Sequence, residues 1–463
     1  MRRTTSALTL VALLSGCDLA PHYARPASAA PTQWPTGAAY APSAPQAAEQ
    51  PGGLPWRTMI SDPKLVTLIE QALANNRDLR AAVANVASAR AQYHVTRSAQ
   101  LPTLTGDAGA TIDRGITSAR NSSNSYDANV GISSFEIDLF GRLKNLSRAA
   151  FEQYLSTEAG TRSTRLTLIA ETATAYATLA ADQDLLRIAR DTLATGNRTL
   201  ELTRSLFNAG LDSAVDMQDA ITVVAQAQSD IEQETTQVAQ DRNALQLMVG
   251  APIDDALIPM SLAELDGTIA NVPAGLSSTV LLQRPDVLEA EHLVKAQTAT
   301  IGAARAAFFP TITLTSAIGV ASTALSSLFT GGALAFTAAP QASLPILGGT
   351  NRGNLEYARA QRDYYAAQYD YTVQTAFREV ADGLARRGTI NRQRAAQQRL
   401  VDAAGQSYRL STAQYQAGTD TFLDALTAER TLYAARQTQV STILSDIQNR
   451  ISLYQYIGSD SGV

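Results

Sequence analysis

The chain has 463 residues, with 37 Lys and Arg against 42 Asp and Glu and a formal net charge of −5. So small a negative balance disfavours a nucleic-acid partner. A single cysteine, Cys17, excludes an internal disulfide.

Met1-Arg2-Arg3 is a positive start, followed by the short apolar run Ala7 to Leu14. This reads as a secretory signal over residues 1–16, too short for a stable membrane-spanning helix. Leu14-Ser15-Gly16-Cys17 looks like a bacterial lipoprotein cleavage box, with Cys17 becoming the lipidated N-terminus. Asp18 follows it, a residue that in some bacteria favours retention at the inner membrane. Residues 17–60 are rich in Pro, Ala, Ser and Gln and read as a lipid-anchored tether, with Trp34 and Trp56 as candidate pins.

Residues 61–250 form a first structural unit. Asp62-Pro63 is a helix start, and Leu65, Leu68, Ile69, Ala72 and Leu73 recur at helical spacing, predicting a helix to about Ala99. Pro102 ends it. A β-hairpin is expected over 103–140, with Gly115 to Ser125 as its loop. Tyr126, Ala128, Val130 and Ile132 alternate, then the phase slips at Ser133-Ser134, as at a β-bulge. No proline occurs between Pro102 and Pro252, and residues 143–249 read as a helical hairpin turning at Asn208-Ala209-Gly210-Leu211-Asp212. Its first arm, at about 1.5 Å per residue, is roughly 100 Å long.

After a linker at 251–276 the scheme repeats over 277–458, with a hairpin at 311–347 (loop Ala321 to Gly332) and helices over 350–457 turning at Gln416-Ala417-Gly418-Thr419-Asp420. Residues 459–463 are a tail. Asp78 and Asp286, Pro102 and Pro310, Gly141 and Gly349, Gly210 and Gly418, and Asp216 and Asp424 each differ by 208, so the halves are an internal duplication.

Two hairpins supply four alternating strands, which cannot close a membrane barrel, and an open edge in lipid is prohibitively costly. Strands in a membrane therefore require several chains to share one barrel. On the first long helix the stripe Ile169, Ala173, Tyr176 and Ala180 suits side-by-side packing and is too thin for a solid central core. Such helices suit a hollow cylinder.

Several motifs now join: Ser15-Gly16-Cys17, Phe135-Glu136-Ile137-Asp138-Leu139-Phe140-Gly141-Arg142, Ala307-Phe308-Phe309-Pro310, Phe207-Asn208-Ala209-Gly210, Tyr415-Gln416-Ala417-Gly418 and Thr421-Phe422-Leu423-Asp424-Ala425. With the duplicated strand–strand–long helix–short helix order, they make the chain resemble the TolC-like outer-membrane factors, nearer the OprM-like lipoprotein branch. The resemblance implies a mainly α fold with a membrane β-barrel: a homotrimer with a twelve-stranded barrel in the outer membrane and a twelve-helix periplasmic tunnel. It implies a passive gated duct of a tripartite efflux or secretion system, joined to a periplasmic adaptor and an inner-membrane pump. Asp216 and Asp424 match the periplasmic gate, whose usual partners appear here as Asp420 and Thr427. Gly210 and Gly418 then mark the tips farthest from the membrane, the two strand loops face outward, and Phe140, Phe308 and Phe309 sit where an interfacial aromatic belt belongs.

No catalytic constellation is present. His22, His94 and His292 have no metal-ligand spacing, and there is neither a phosphate loop nor a nucleophile elbow. Neither an enzyme activity nor a cofactor is expected beyond the lipid on Cys17. Arg386, Arg387, Arg392, Arg394 and Arg399 read as a solvated helix face. The alternative reading is a periplasmic coiled-coil adaptor or scaffold lipoprotein without a pore, which would carry one helical hairpin and lack the duplicated strands.

Overall fold

The computed structural model describes residues 18–26, 30–40, 55–114, 122–272, 277–330 and 334–457. The expected signal peptide, the lipidation of Cys17 and the tail at 459–463 lie outside them. The long elements are α1 (Pro63–Asn75), α2 (Arg77–Ser98), β1 (Leu104–Arg114), β2 (Ser122–Ile137), α3 (Arg142–Asn208) and α4 (Ala214–Val249). They are followed by α5 (Pro285–Ala306), β3 (Thr311–Ser322), β4 (Leu334–Ser343), α6 (Thr350–Gln416) and α7 (Phe422–Ile457). Adding 208 to the bounds of α2, α3 and α4 gives those of α5, α6 and α7 at both ends.

The first helix is not continuous to residue 99. It breaks at Asn76, whose backbone turns extended at ψ 133°. The Asn76 side-chain oxygen accepts from the Leu79 amide at 2.9 Å and so caps α2, while its Nδ2 donates to the Met248 carbonyl at 2.9 Å. Ser122 to Ser125, expected in a loop, belong to β2, and a 3₁₀ turn at Leu325–Ser327 occupies part of the second loop.

The chain divides into two compact units. One combines Ala84–Glu158, Glu289–Asp370 and the N-terminal residues up to Ala27. It holds a four-stranded antiparallel sheet in the order β1-β2-β3-β4, leaving β1 and β4 as edges. The register sorts side chains by face, because paired residues point the same way. Leu104 pairs with Ile132, Val130 with Ile318, Ile318 with Phe336 and Val320 with Leu334, an apolar face. Asp107 pairs with Asn129 and Gly109 with Asp127 on the other. The slip near Ser133-Ser134 is a bulge: three steps on β2, from Ile132 to Phe135, face two on β3, from Ser316 to Leu314. Ser134 takes φ +49° there.

The other unit combines Ser28–Val83, Ala159–Leu288 and Tyr371–Val463. Here the expected thin seam is corrected. Ile169, Ala173, Tyr176 and Ala180 are all buried, in the same cluster as Leu65, Leu68 and Ile69 of α1, Leu245 of α4, and Leu262 and Leu265 of the connecting segment. The added short elements complete a solid core that α3 alone cannot. Trp56 is buried in this cluster, whereas Trp34 stacks on Phe377 at 4.9 Å.

The arginine run is also corrected. Arg394 spans Asp266 and Asp446 at 2.6 Å each. Arg387 donates to the Val272 carbonyl at 2.5 Å, and Arg392 to the Ala38 carbonyl at 3.1 Å. The run clamps extended backbone onto α6, using donors that a plain solvated face would leave to water.

Candidate functional site

The ends of the two helical hairpins are built alike. Gly210 and Gly418 take φ +74° and +71°, the left-handed conformation that ends a helix without a Cβ clash. The Leu211 amide donates to the Leu206 carbonyl at 2.9 Å, and the equivalent Thr419 amide to Gln414 at 3.0 Å. The next helix then starts at a reciprocal cap. The Ser213 hydroxyl donates to Asp216 Oδ2 at 2.5 Å, and the Asp216 amide returns to Ser213 Oγ at 3.1 Å. Thr421 and Asp424 repeat this, at 2.5 Å and 3.3 Å. Both candidate gate aspartates are thus held at the positive ends of helices within each chain. Thr427 bonds its own helix through the Leu423 carbonyl at 2.8 Å, and Asp420 accepts from the Thr421 amide at 2.9 Å.

Sequence reasoning missed the tyrosine beside them. Tyr415 is 5% exposed. Its hydroxyl donates to Asp212 Oδ2 at 2.5 Å and lies 2.9 Å from Thr203 Oγ1. Burial, followed by the bond to Asp212, pushes the phenol up to about 12. Higher on the same hairpins, Tyr433 bonds Asp230 at 2.6 Å. The only sequence signal was the place of Tyr415 in Tyr415-Gln416-Ala417-Gly418.

At the strand–helix junction the motif residues acquire physical roles. Asp138 accepts from the amides of Arg142 and Lys144 at 2.6 and 2.8 Å, capping α3. Glu136 forks onto Arg142 at 2.8 and 2.5 Å. Phe140 stacks on Phe309, with ring centroids 4.6 Å apart. Phe308 and Phe309 remain 43% and 41% exposed, which suits an interface more than a dry core.

Residues 18–26 are seated against α3 and α5. Glu291, 3% exposed, accepts from Arg25 at 2.7 Å and from the Tyr23 hydroxyl at 3.1 Å, and pairs with Lys295 at 2.9 Å. Burial raises the Glu291 carboxyl, but the Arg25 and Lys295 bonds outweigh it and hold it below its ordinary value. Asp18 accepts from Asn145 Nδ2 at 3.1 Å. Asp18 is therefore tied to the first turn of α3, close in sequence to Phe140.

Comparison with known proteins gives this geometry its setting. The family described as outer membrane efflux protein matches residues 68–251 and 276–459, two stretches themselves 208 apart. The chain belongs to the outer membrane efflux protein family. It is 41% identical over 458 residues to the probable efflux pump outer membrane protein TtgC of Pseudomonas putida, covering 96% of this chain and 93% of that one. It is 37% identical to outer membrane protein OprJ of Pseudomonas aeruginosa, over 97% of this chain and 93% of that one.

Among solved structures, CusC matches with a TM-score of 0.87 at 36% identity, over 96% of this chain and all of that one (100%). The open state of the Neisseria gonorrhoeae MtrE outer membrane channel matches with a TM-score of 0.82 at 32% identity, over 96% and 100%. This outer membrane efflux protein acts in efflux as a channel of the outer membrane. The pore-less adaptor reading is set aside, because the likeness to channels runs over 96% of the chain.

Proposed function

We propose that this efflux protein works as a homotrimer whose three sheets join β1 to β4 of the next copy. The carrying observation is the four-stranded sheet with two free edges and an apolar face. Leu334 and Phe336 are 71% and 72% exposed, as a single copy of a lipid-facing wall leaves them. Three copies of four strands close a twelve-stranded barrel and remove every edge.

The helical hairpins extend this barrel as a duct. A lipid on Cys17 anchors each chain at the level of Phe140 and Phe309. A periplasmic adaptor links the hairpin ends to an inner-membrane pump, which supplies the energy to move small molecules through the passive duct. Repeated around the trimer axis, Asp424 crowds like charges at the mouth, which favours cations there.

Planar-bilayer conductance of the detergent-extracted protein tests this reading. Discrete openings are expected from the wild type, larger and less sensitive to divalent cations in Asp424→Ala. A folded, oligomeric sample of both forms without conductance overturns the duct. Unchanged conductance and unchanged block in the variant overturn the gate alone.

A further inference from the structure

Near the hairpin ends, α3, α6 and α7 enclose a cavity of about 250 Å³. Thr195 and Arg198 line it from α3, Tyr408 and Tyr415 from α6, and Phe422 and Glu429 from α7. Glu429 is 7% exposed. Its one direct hydrogen bond among the described residues comes from Thr195 Oγ1, a long 3.4 Å. The adjacent Arg430 reaches Thr222 instead, at 3.4 Å. A carboxylate so placed is costly unless a cation or a proton joins it.

The duplication shows that the fold does not demand this charge. Subtracting or adding 208 turns Glu429 into Ile221, Tyr408 into Leu200 and Thr195 into Ala403. At these three positions the other combination of repeats carries apolar residues. The aromatic rings add a second feature. Tyr415 and Phe422 lie 5.4 Å apart at 58°, and both line the cavity together with Tyr408. An anion set among aromatic faces is the chemistry that holds an organic ammonium group.

We propose that this cavity binds a small organic monocation, a protonated amine carried on an apolar or aromatic body. The ammonium pairs with Glu429, and the body rests against Tyr408, Tyr415 and Phe422. Arg198, exposed at the rim, opposes a second positive charge. An occupant contacts α3, α6 and α7 together, so it holds the shorter arm α7 in the arrangement seen and resists any shift of these helices. Burial pushes the Glu429 carboxyl up, against the Thr195 bond and the Arg430 charge, so cation binding weakens on acidification.

The test uses the full chain in detergent and titration calorimetry, with benzylammonium as probe and benzyl alcohol as its neutral match. Saturable benzylammonium binding is expected in the wild type, about tenfold weaker in Glu429→Gln. Benzyl alcohol is expected to bind no better to the wild type than to that variant. Absence of saturable benzylammonium binding to folded wild type, or equal affinity in Glu429→Gln, overturns the proposal. If Glu429→Gln loses its circular-dichroism signature, Tyr408→Leu, which installs the residue of the other repeat, takes its place. Weakened benzylammonium binding supports the site, and undiminished binding overturns it. Calorimetry reads nothing of conductance, so this site and the duct stand or fall separately.

Discussion

Tyr415, in the last turn of α6, donates its hydroxyl to Asp212, in the turn between α3 and α4, at 2.5 Å. The bond ties the hairpin end of one repeat to that of the other. Tyr415→Phe keeps the buried ring but loses a hydrogen bond to a charged group, worth about 1.5 kcal/mol at a partly exposed carboxylate. Thermal unfolding is expected to shift down by a few degrees, while openings in a bilayer become more frequent because the two ends part more easily. Unchanged open probability would show that the tie is not part of gating.

Asp182 on α3 and Asp241 on α4 make a carboxyl–carboxylate contact. Asp241 Oδ2 is buried and no donor among the described residues faces it, so it is free to accept from a protonated Asp182. Burial first, then Asp241 and Glu234, pushes the Asp182 carboxyl up from 3.8 to about 8. The folded state thus holds a proton that the unfolded chain releases. Its stabilisation is complete below pH 3.8 and is lost as pH rises through about 8. Asp182→Asn keeps a donor and removes the titration. Melting temperature against pH is expected to fall across this range in the wild type and to flatten in the variant.

Gly302 faces the docked N-terminal segment so closely that a Cβ would lie 2.8 Å from Ala20 Cα. Gly302→Ala is expected to lift residues 18–26, and Glu291→Ala to free their Tyr23 and Arg25 contacts. Chymotryptic cleavage after Tyr23 measures the release, and both variants should be cut faster than wild type.

Asn76 serves two elements at once, capping α2 and holding the Met248 carbonyl. Asn76→Ala forfeits the cap and leaves a partly buried carbonyl unpaired, about 2 kcal/mol in sum. Asn76→Asp is expected to recover the cap alone. Denaturant unfolding should rank wild type above the aspartate variant and that above the alanine variant.

Turns, repeats and alternation were legible in the sequence because they are local. Gly210 and Gly418 announced the hairpin ends, since a left-handed backbone excludes most other residues. The bulge at Ser133-Ser134 showed as a slipped alternation, and the offset of 208 fixed equivalent helices before any contact was known. The break at Asn76 stayed hidden because asparagine is also tolerated inside helices, and only Met248, 172 residues away, reveals its purpose.

The sequence by itself determined the duplicated order of elements and the residues at its turns, because local backbone preference and side-chain period are written in neighbouring positions. Tertiary structure alone decided which charges are paired and which polar groups are buried. The arginine run became a clamp through Asp266 and Asp446, and Glu429 became a buried carboxylate where its counterpart is Ile221. Those outcomes depend on desolvation and on partners 52 to 234 positions apart, which no local pattern encodes.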